Sequence, residues 1–186
     1  MVKQNYIALN KQNFQFDIYK LTPIRIKDRY KIMKWRNEQL YHLRQLKPLI
    51  KSEQDNYFNN VVIPQKRQKR PDQILFSFLK GDSLVAYGGL VHINWVVKKA
   101  EISFVIDTSI EKNNFISFWQ IYLKLIEEVA FNHLEFNKIY IYSFNVRPLL
   151  YEVTKRNNYI LETTLKQHTK VENRLVDVNI HSKLKQ

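Results

Sequence analysis

"EISFVIDTSIEKNNFISFWQIYLKL", residues 101–125, reads as a strand, a short connection and an apolar helix. β-Branched and aromatic residues dominate the first part, as suits a buried strand. Farther on, Phe118, Ile121, Leu125, Val129 and Ala130 fall on one stripe at helical spacing. "KIYIYSFNV" (138–146) then supplies a second strand. A strand–helix–strand step of this kind is a right-handed parallel crossover. Such a junction often carries glycines, which let backbone N–H groups wrap a phosphate. This one carries none. It is either a phosphate site built another way or one that has been lost.

The flanking sequence completes an order β-α-α-β-β-β-α-β-α-β-β. "DIYKLTPIR" (17–25) is a first strand, with Pro23 near its end. "KDRYKIMKWRNEQLYHLRQ" (27–45) puts Tyr30, Met33 and Leu40 on one helical side. "SEQDNYFNNVV" (52–62) opens like a capping box, Ser52 then Asp55, and predicts a short helix. "QILFSFLKGDSLVAYGGLVHINW" (73–95) is two strands turning at Lys80-Gly81-Asp82. Pro148 starts a helix over 148–156, and "YILETTLKQH" and "RLVDVNIHSKL" form a last hairpin around "TKVEN". The class is α+β (mixed α/β): a mostly antiparallel twisted sheet with one parallel pair and helices on both faces.

Length and composition bound the rest. At 186 residues one domain is expected over 1–186, with residues 1–16 as an N-terminal extension and 64–72 as a basic loop. A hydrophobic fraction of 45% argues for a packed core. The absence of cysteine excludes disulfides and thiolate metal sites, and no spacing among the five histidines points to a metal. No signal peptide and no membrane span are read from the chain, and a cytoplasmic location is the expectation. A net charge of +13 favours polyanionic partners. Lys and Asn are spread throughout, and the one dense cluster is "QKRQKR" (65–70). That cluster is a nucleic-acid contact or, the better reading, a solvated loop.

The pieces "YKLTPIRIKDRYKIMKWRNEQ", "VAYGGLVHINWVVKKAEISFVID" and "NVRPLLYEVTKRNNYILETTLKQHTKVENRLVDVNIHSKL" together span about residues 17–184. In that order they resemble the GNAT superfamily of acyl-CoA-dependent N-acetyltransferases, closest to the ribosomal-protein N-terminal acetyltransferase-like branch. The resemblance implies that strands 101–107 and 138–144 splay, so that the pantetheine arm of acetyl-CoA pairs with the first as an added strand would. Ser103, Phe104, Val105 and Ile106 would line that arm. The pyrophosphate would lie at the start of the following helix. There Lys112 would supply charge, and Asn113 and Asn114 would stand in for glycine, since Asn tolerates the left-handed conformation. Asn145 resembles a position that hydrogen-bonds the cofactor region, and Arg147 would meet phosphate; both alternatively cap the helix after Pro148.

Amide formation from a thioester needs a base for the amine and a donor for the departing thiolate. Glu101, where the family often places a carboxylate, is the leading base; the bland alternative pairs it with Lys98 or Lys99. His92, on the adjacent strand, is a second candidate. Tyr151 resembles the family's thiolate donor, although the family spacing falls on Thr154, one turn later; packing is its other reading. On the acceptor side stand Trp35, able to stack on a sugar or base, Arg36, able to hold phosphate, and Tyr87. Gly88-Gly89 marks a bulge or a close approach, by acceptor or by a helix above. The expected activity is acetyl transfer from acetyl-CoA to a primary amine, either a nucleotide-linked amino sugar or a protein N-terminus, by a monomer or homodimer. The alternatives are a catalytically silent binding protein of the same fold and, weaker, a nucleic-acid-associated protein.

Overall fold

The computed structural model describes residues 5–186. Eight strands form one sheet in the order β1-β2-β3-β4-β5-β6-β8-β7. β1 (Phe14–Phe16), β2 (Tyr19–Pro23), β3 (Ile74–Lys80), β4 (Ser83–Asn94) and β5 (Lys99–Ile106) pair antiparallel in succession. β6 (Lys138–Phe144) pairs parallel with β5 and antiparallel with β8 (Arg174–Leu184), whose hairpin partner β7 (Ile160–Val171) forms the far edge. The mixed sheet with a single parallel pair is the architecture the sequence predicts. The turns obey their residues: Gly81 adopts φ +57°, and Glu172 and Asn173 take φ 45° and 67° in the last hairpin.

Two layers of helix cover the sheet. On one face α4 (Thr108–Glu127) lays Phe115, Phe118, Trp119, Tyr122 and Ile126 over Phe78, Phe104 and Ile141. α5 (Pro148–Arg156) adds Leu150 and Val153 to the same core. The other face carries α1 (Arg29–Glu38) and α2 (Lys51–Tyr57), which continues through a π-helical turn, Phe58–Val62, into the short α3 (Ile63–Gln65). Ile32, Trp35, Phe58 and Val62 pack there on Leu75, Tyr87 and Val105.

Several expectations need correction. The first helix ends at Glu38, and residues 40–42 make only a 3-10 turn. Its buried side is Ile32 and Trp35, two residues out of phase with Tyr30 and Met33. α2 is capped by the Glu53 carboxylate, which accepts the Ile50 N–H at 3.0 Å, while Asp55 pairs with Arg29 and Tyr30. Residues 5–16 are no mere extension: Tyr6, Leu9 and Phe14 are buried in the main core. The glycine pair is explained by protein packing. A Cβ on Gly88 would sit 2.1 Å from the Ser103 carbonyl oxygen and 2.6 Å from the Tyr122 hydroxyl of α4. One on Gly89 would sit 2.1 Å from the Ile74 carbonyl.

Within the basic segment Lys66 is buried, and its ammonium donates to the Ile24 carbonyl at 2.7 Å. Gln65 clasps Asp72 through two hydrogen bonds, closing the loop on itself. Burial pushes the Lys66 pKa down to about 8 from 10.5. The folded protein therefore loses this proton before the unfolded chain does, and stability rises with pH between those two values. Lys66→Met removes that rise. Urea midpoints of both proteins at pH 7.5, 9 and 10.5 test it; parallel pH dependences would contradict the assignment.

Candidate functional site

Parallel pairing of β5 with β6 lasts three rungs, Lys99↔Lys138, Ala100↔Ile139 and Glu101↔Tyr140, and then stops. Beyond them β5 stays with β4 as far as Ile106↔Ala86, and β6 stays with β8 as far as Phe144↔Val178. The strands diverge, leaving a slot of about 90 Å³. Ser103, Phe104, Tyr142 and Phe144 form its sides, Trp119 and Leu150 its helical wall. Past Glu101 the edge of β5 that faces β6 has no strand partner. The indole N–H of Trp119, buried in the slot wall, has no hydrogen-bond acceptor among the described residues.

Glu101 occupies the apex, at the last paired rung. Its side chain is 6% exposed, ion-paired with Arg44 and 4.0 Å from the His92 Nε2. Burial pushes the Glu101 carboxyl up, against the opposing pull of Arg44 and His92. Neither Lys98 nor Lys99 is its partner: Lys98 pairs with Glu135. Arg44 also lies over the Tyr142 ring, 4.6 Å from its centroid, and so reaches across the slot from the loop after α1 to β6. His92 sits at an irregularity of β4 with φ 48°, and its exposed ring lies beside the carboxylate.

At the opposite end, the mouth, the helix begins earlier than expected. Residues 108–114 are the first turns of α4, so Lys112, Asn113 and Asn114 belong to no loop. Asp107 caps the helix by accepting the Ser109 N–H at 3.0 Å, and the Asn114 amide donates to the Ile110 carbonyl. An Asp cap and continuous helical hydrogen bonds make a phosphate-wrapping loop unnecessary for this turn. Lys112, Asn113 and Asn114 instead face a shallow cleft toward α5, with Leu149 and Arg156. The mouth itself is crossed by Arg147. Its guanidinium pairs with Glu111 of α4, meets His42 Nδ1 at 3.2 Å and stacks 4.6 Å from the Phe115 ring centroid. Burial lowers Arg147 and raises Glu111, each partly held back by the other. Burial and Arg147 together drive His42 down to about 3, so this imidazole is neutral at ordinary pH.

A larger cavity of about 510 Å³ opens between α1, α2 and the sheet, and it shares Ser103 with the slot. Arg36, Tyr87 and His92 line it; Trp35 does not, being 1% exposed within the core. Val105 and Ile106 are likewise core residues and do not line the slot. Tyr151 donates to Asn145 at 2.6 Å, accepts from Asn179 at 2.9 Å and stacks on His181. Its hydroxyl is thus engaged outside the slot lining, and Asn145 is engaged with it. Thr154 is buried. Sequence reading gives no role to His42 or Trp119, and it does not find the partners of Arg44 and Glu111. Arg44 and His42 fall within the stretch 27–45 that has helical periodicity, and only a recognised helix end at Glu38 frees them.

A family model described as the acetyltransferase (GNAT) domain matches residues 21–180. No curated protein sequence matches the chain. Among solved structures, spermidine N-acetyltransferase from Vibrio cholerae in complex with CoA and spermine superposes with a TM-score of 0.77 at 16% identity, over 90% of this chain and 96% of that one. RimL, the ribosomal L7/L12 alpha-N-protein acetyltransferase in complex with coenzyme A, gives 0.76 at 14% identity, over 94% and 98%. At such identities the likeness is one of fold.

The Glu111–Arg147 pair is 13% and 11% exposed. Removing one partner of a buried pair strands the other, at a cost of about 3 kcal/mol. Glu111→Gln is expected to lose about that much, and Glu111→Leu combined with Arg147→Met to recover most of it. Urea unfolding of the three proteins provides the measurement; a Gln variant as stable as the parent would rule the pair out.

Proposed function

The chain belongs to the GNAT family of acetyltransferases, and from that premise we propose that it transfers an acetyl group from acetyl-CoA to a primary amine by direct attack. The observation that carries the reading is the parting of β5 and β6 just past Glu101, with a buried carboxylate at the apex and a cavity beside it. The unpaired edge of β5 and the free indole N–H of Trp119 fit an extended, amide-bearing arm. Arg147, released from Glu111, would be the cation that meets its phosphates. Bound there, acetyl-CoA supplies an activated thioester carbonyl.

The chain's own residues do the rest. The acceptor amine arrives largely as an ammonium and must lose a proton before it attacks. Glu101 takes that proton, directly or through water. Its raised pKa makes it a stronger base than a solvated carboxylate, and Arg44 keeps it ionised and oriented. His92, 4.0 Å away and exposed toward solvent, relays the proton outward. With no cysteine in the chain, no acyl-cysteine intermediate forms. Tyr151, satisfied by Asn145 and Asn179, is assigned a packing role. The acceptor classes that the sequence raises are a nucleotide-linked amino sugar and a protein N-terminus.

A second reading, a binding protein of this fold without turnover, is favoured by one observation. Glu111 occupies Arg147 at the mouth, and Asp107 already caps the helix start, so carboxylates stand where phosphates would. Ligand binding separates the two readings. Acetyl-CoA at 100 times its Kd should stabilise the fold by about 2.7 kcal/mol. No thermal shift at millimolar acetyl-CoA or CoA favours the silent protein. For the transferase, Glu101→Gln should lower kcat/KM by about 10²–10⁴ while acetyl-CoA binding persists. Turnover that is unchanged across pH would remove Glu101 from the role of base.

A further inference from the structure

The cavity beside the slot holds a cation that is hydrogen-bonded to uncharged side chains and ion-paired to none among the described residues. Arg36 is half-buried on α1 and points into the 510 Å³ space. Its Nε donates to the Gln45 Oε1 at 2.8 Å and one terminal nitrogen to the Tyr87 hydroxyl at 2.7 Å. A guanidinium has five N–H donors, so three are left without a protein acceptor among the described residues. Both partners are neutral. The two carboxylates at the cavity make no ion pair with Arg36: Glu53 pairs with Lys47 and accepts the Ile50 N–H, and Asp72 accepts from the Gln65 amide. The remaining wall is mostly apolar, with Ile24, Ile32, Phe58, Leu75 and Val91. Burying a charge is costly unless it is paired, and evolution-neutral packing would place a Leu or Met there at no such cost.

We infer that Arg36 is the anchor for an anionic group of the acceptor, and that the acceptor is a small primary amine carrying a phosphate or carboxylate at the far end of an apolar body, rather than a nucleotide-linked amino sugar or a protein N-terminus. The sheet register sets the span. Val91 faces Glu101 and Tyr87 faces Val105. Four residues of strand separate the two ends, about 13 Å along the backbone. An amine and an anion spaced along an extended body match that run of strand better than two groups borne on one carbon. A polycation would bring a like charge against Arg36. The placement of the amine at Glu101 rests on the transferase reading; the anion at Arg36 rests on the cavity alone.

Binding of four probes to the full chain tests this without any acetyl donor: 8-aminooctanoate, 8-aminooctyl phosphate, octylamine and 1,8-diaminooctane. A charge-assisted hydrogen bond predicts that the two anionic amines bind about ten- to a hundredfold more tightly than octylamine, with the diamine weakest. Comparing the two anionic arms identifies whether carboxylate or phosphate fits. Arg36→Gln should erase the preference, and Tyr87→Phe, which keeps the guanidinium, should retain it even if the first variant folds poorly. Equal binding of the diamine, or a preference that survives Arg36→Gln, overturns the inference. If the Arg36-dependent preference holds but acetyl-CoA neither binds nor reacts, the transferase reading fails and the anion site stands.

Discussion

Three rungs of parallel pairing hold β5 to β6, and everything functional in this molecule depends on their ending at Glu101–Tyr140. Each strand is fully committed on its other side, β5 to β4 and β6 to β8. Neither can shift to close the gap without breaking a ladder it already has. The glycines of β4 reinforce this commitment. With no Cβ at Gly88, the Tyr122 hydroxyl of α4 reaches the Ser103 carbonyl at 2.7 Å, so the helix is pinned to β5 at the slot. The opening is thus a property of the scaffold, produced by the strands' outer partners.

Three arginines then decide what the openings hold. Arg44 spans the apex between Glu101 and Tyr142, Arg147 spans the mouth between Glu111 and Phe115, and Arg36 stands in the adjoining cavity with neutral partners. Two of the three are neutralised by buried carboxylates, at a desolvation cost that ion pairing only roughly offsets. This makes the pairs better suited to placing charge than to stabilising the fold. The stability comes instead from the aromatic layer, in which Phe104 stacks on Tyr122 with centroids 3.8 Å apart and Trp119 meets Phe104 edge-on at 4.9 Å.

Periodicity made the sheet, the crossover and α4 legible, because β5, β6 and the helix between them bury long apolar faces that alternate or recur in register. What could not be read was decided by contacts distant in sequence. Whether residues 108–114 coil or wind depended on the Asp107 cap and on Glu111 finding Arg147 some 36 residues away. The end of the first helix at Glu38 depended on Gln39 turning inward to donate to the Ile106 carbonyl. Glu101 was legible as a strand-end carboxylate, but its partner Arg44 was hidden within an apparent helix. Lys66 was counted with a basic surface cluster, and only the folded chain reveals the carbonyl of Ile24 waiting for its ammonium.

The tryptophans divide by environment in a way that makes the slot observable. Trp35 is sealed in the core under α1, and the Trp95 indole N–H is already bound to the Pro71 carbonyl. Trp119 alone among the three combines a place in the slot wall with an unfilled N–H. Indole emission responds to polarity and hydrogen bonding around the ring, so occupancy of the slot is written into the protein's intrinsic fluorescence, against a background of two rings that a slot ligand does not touch.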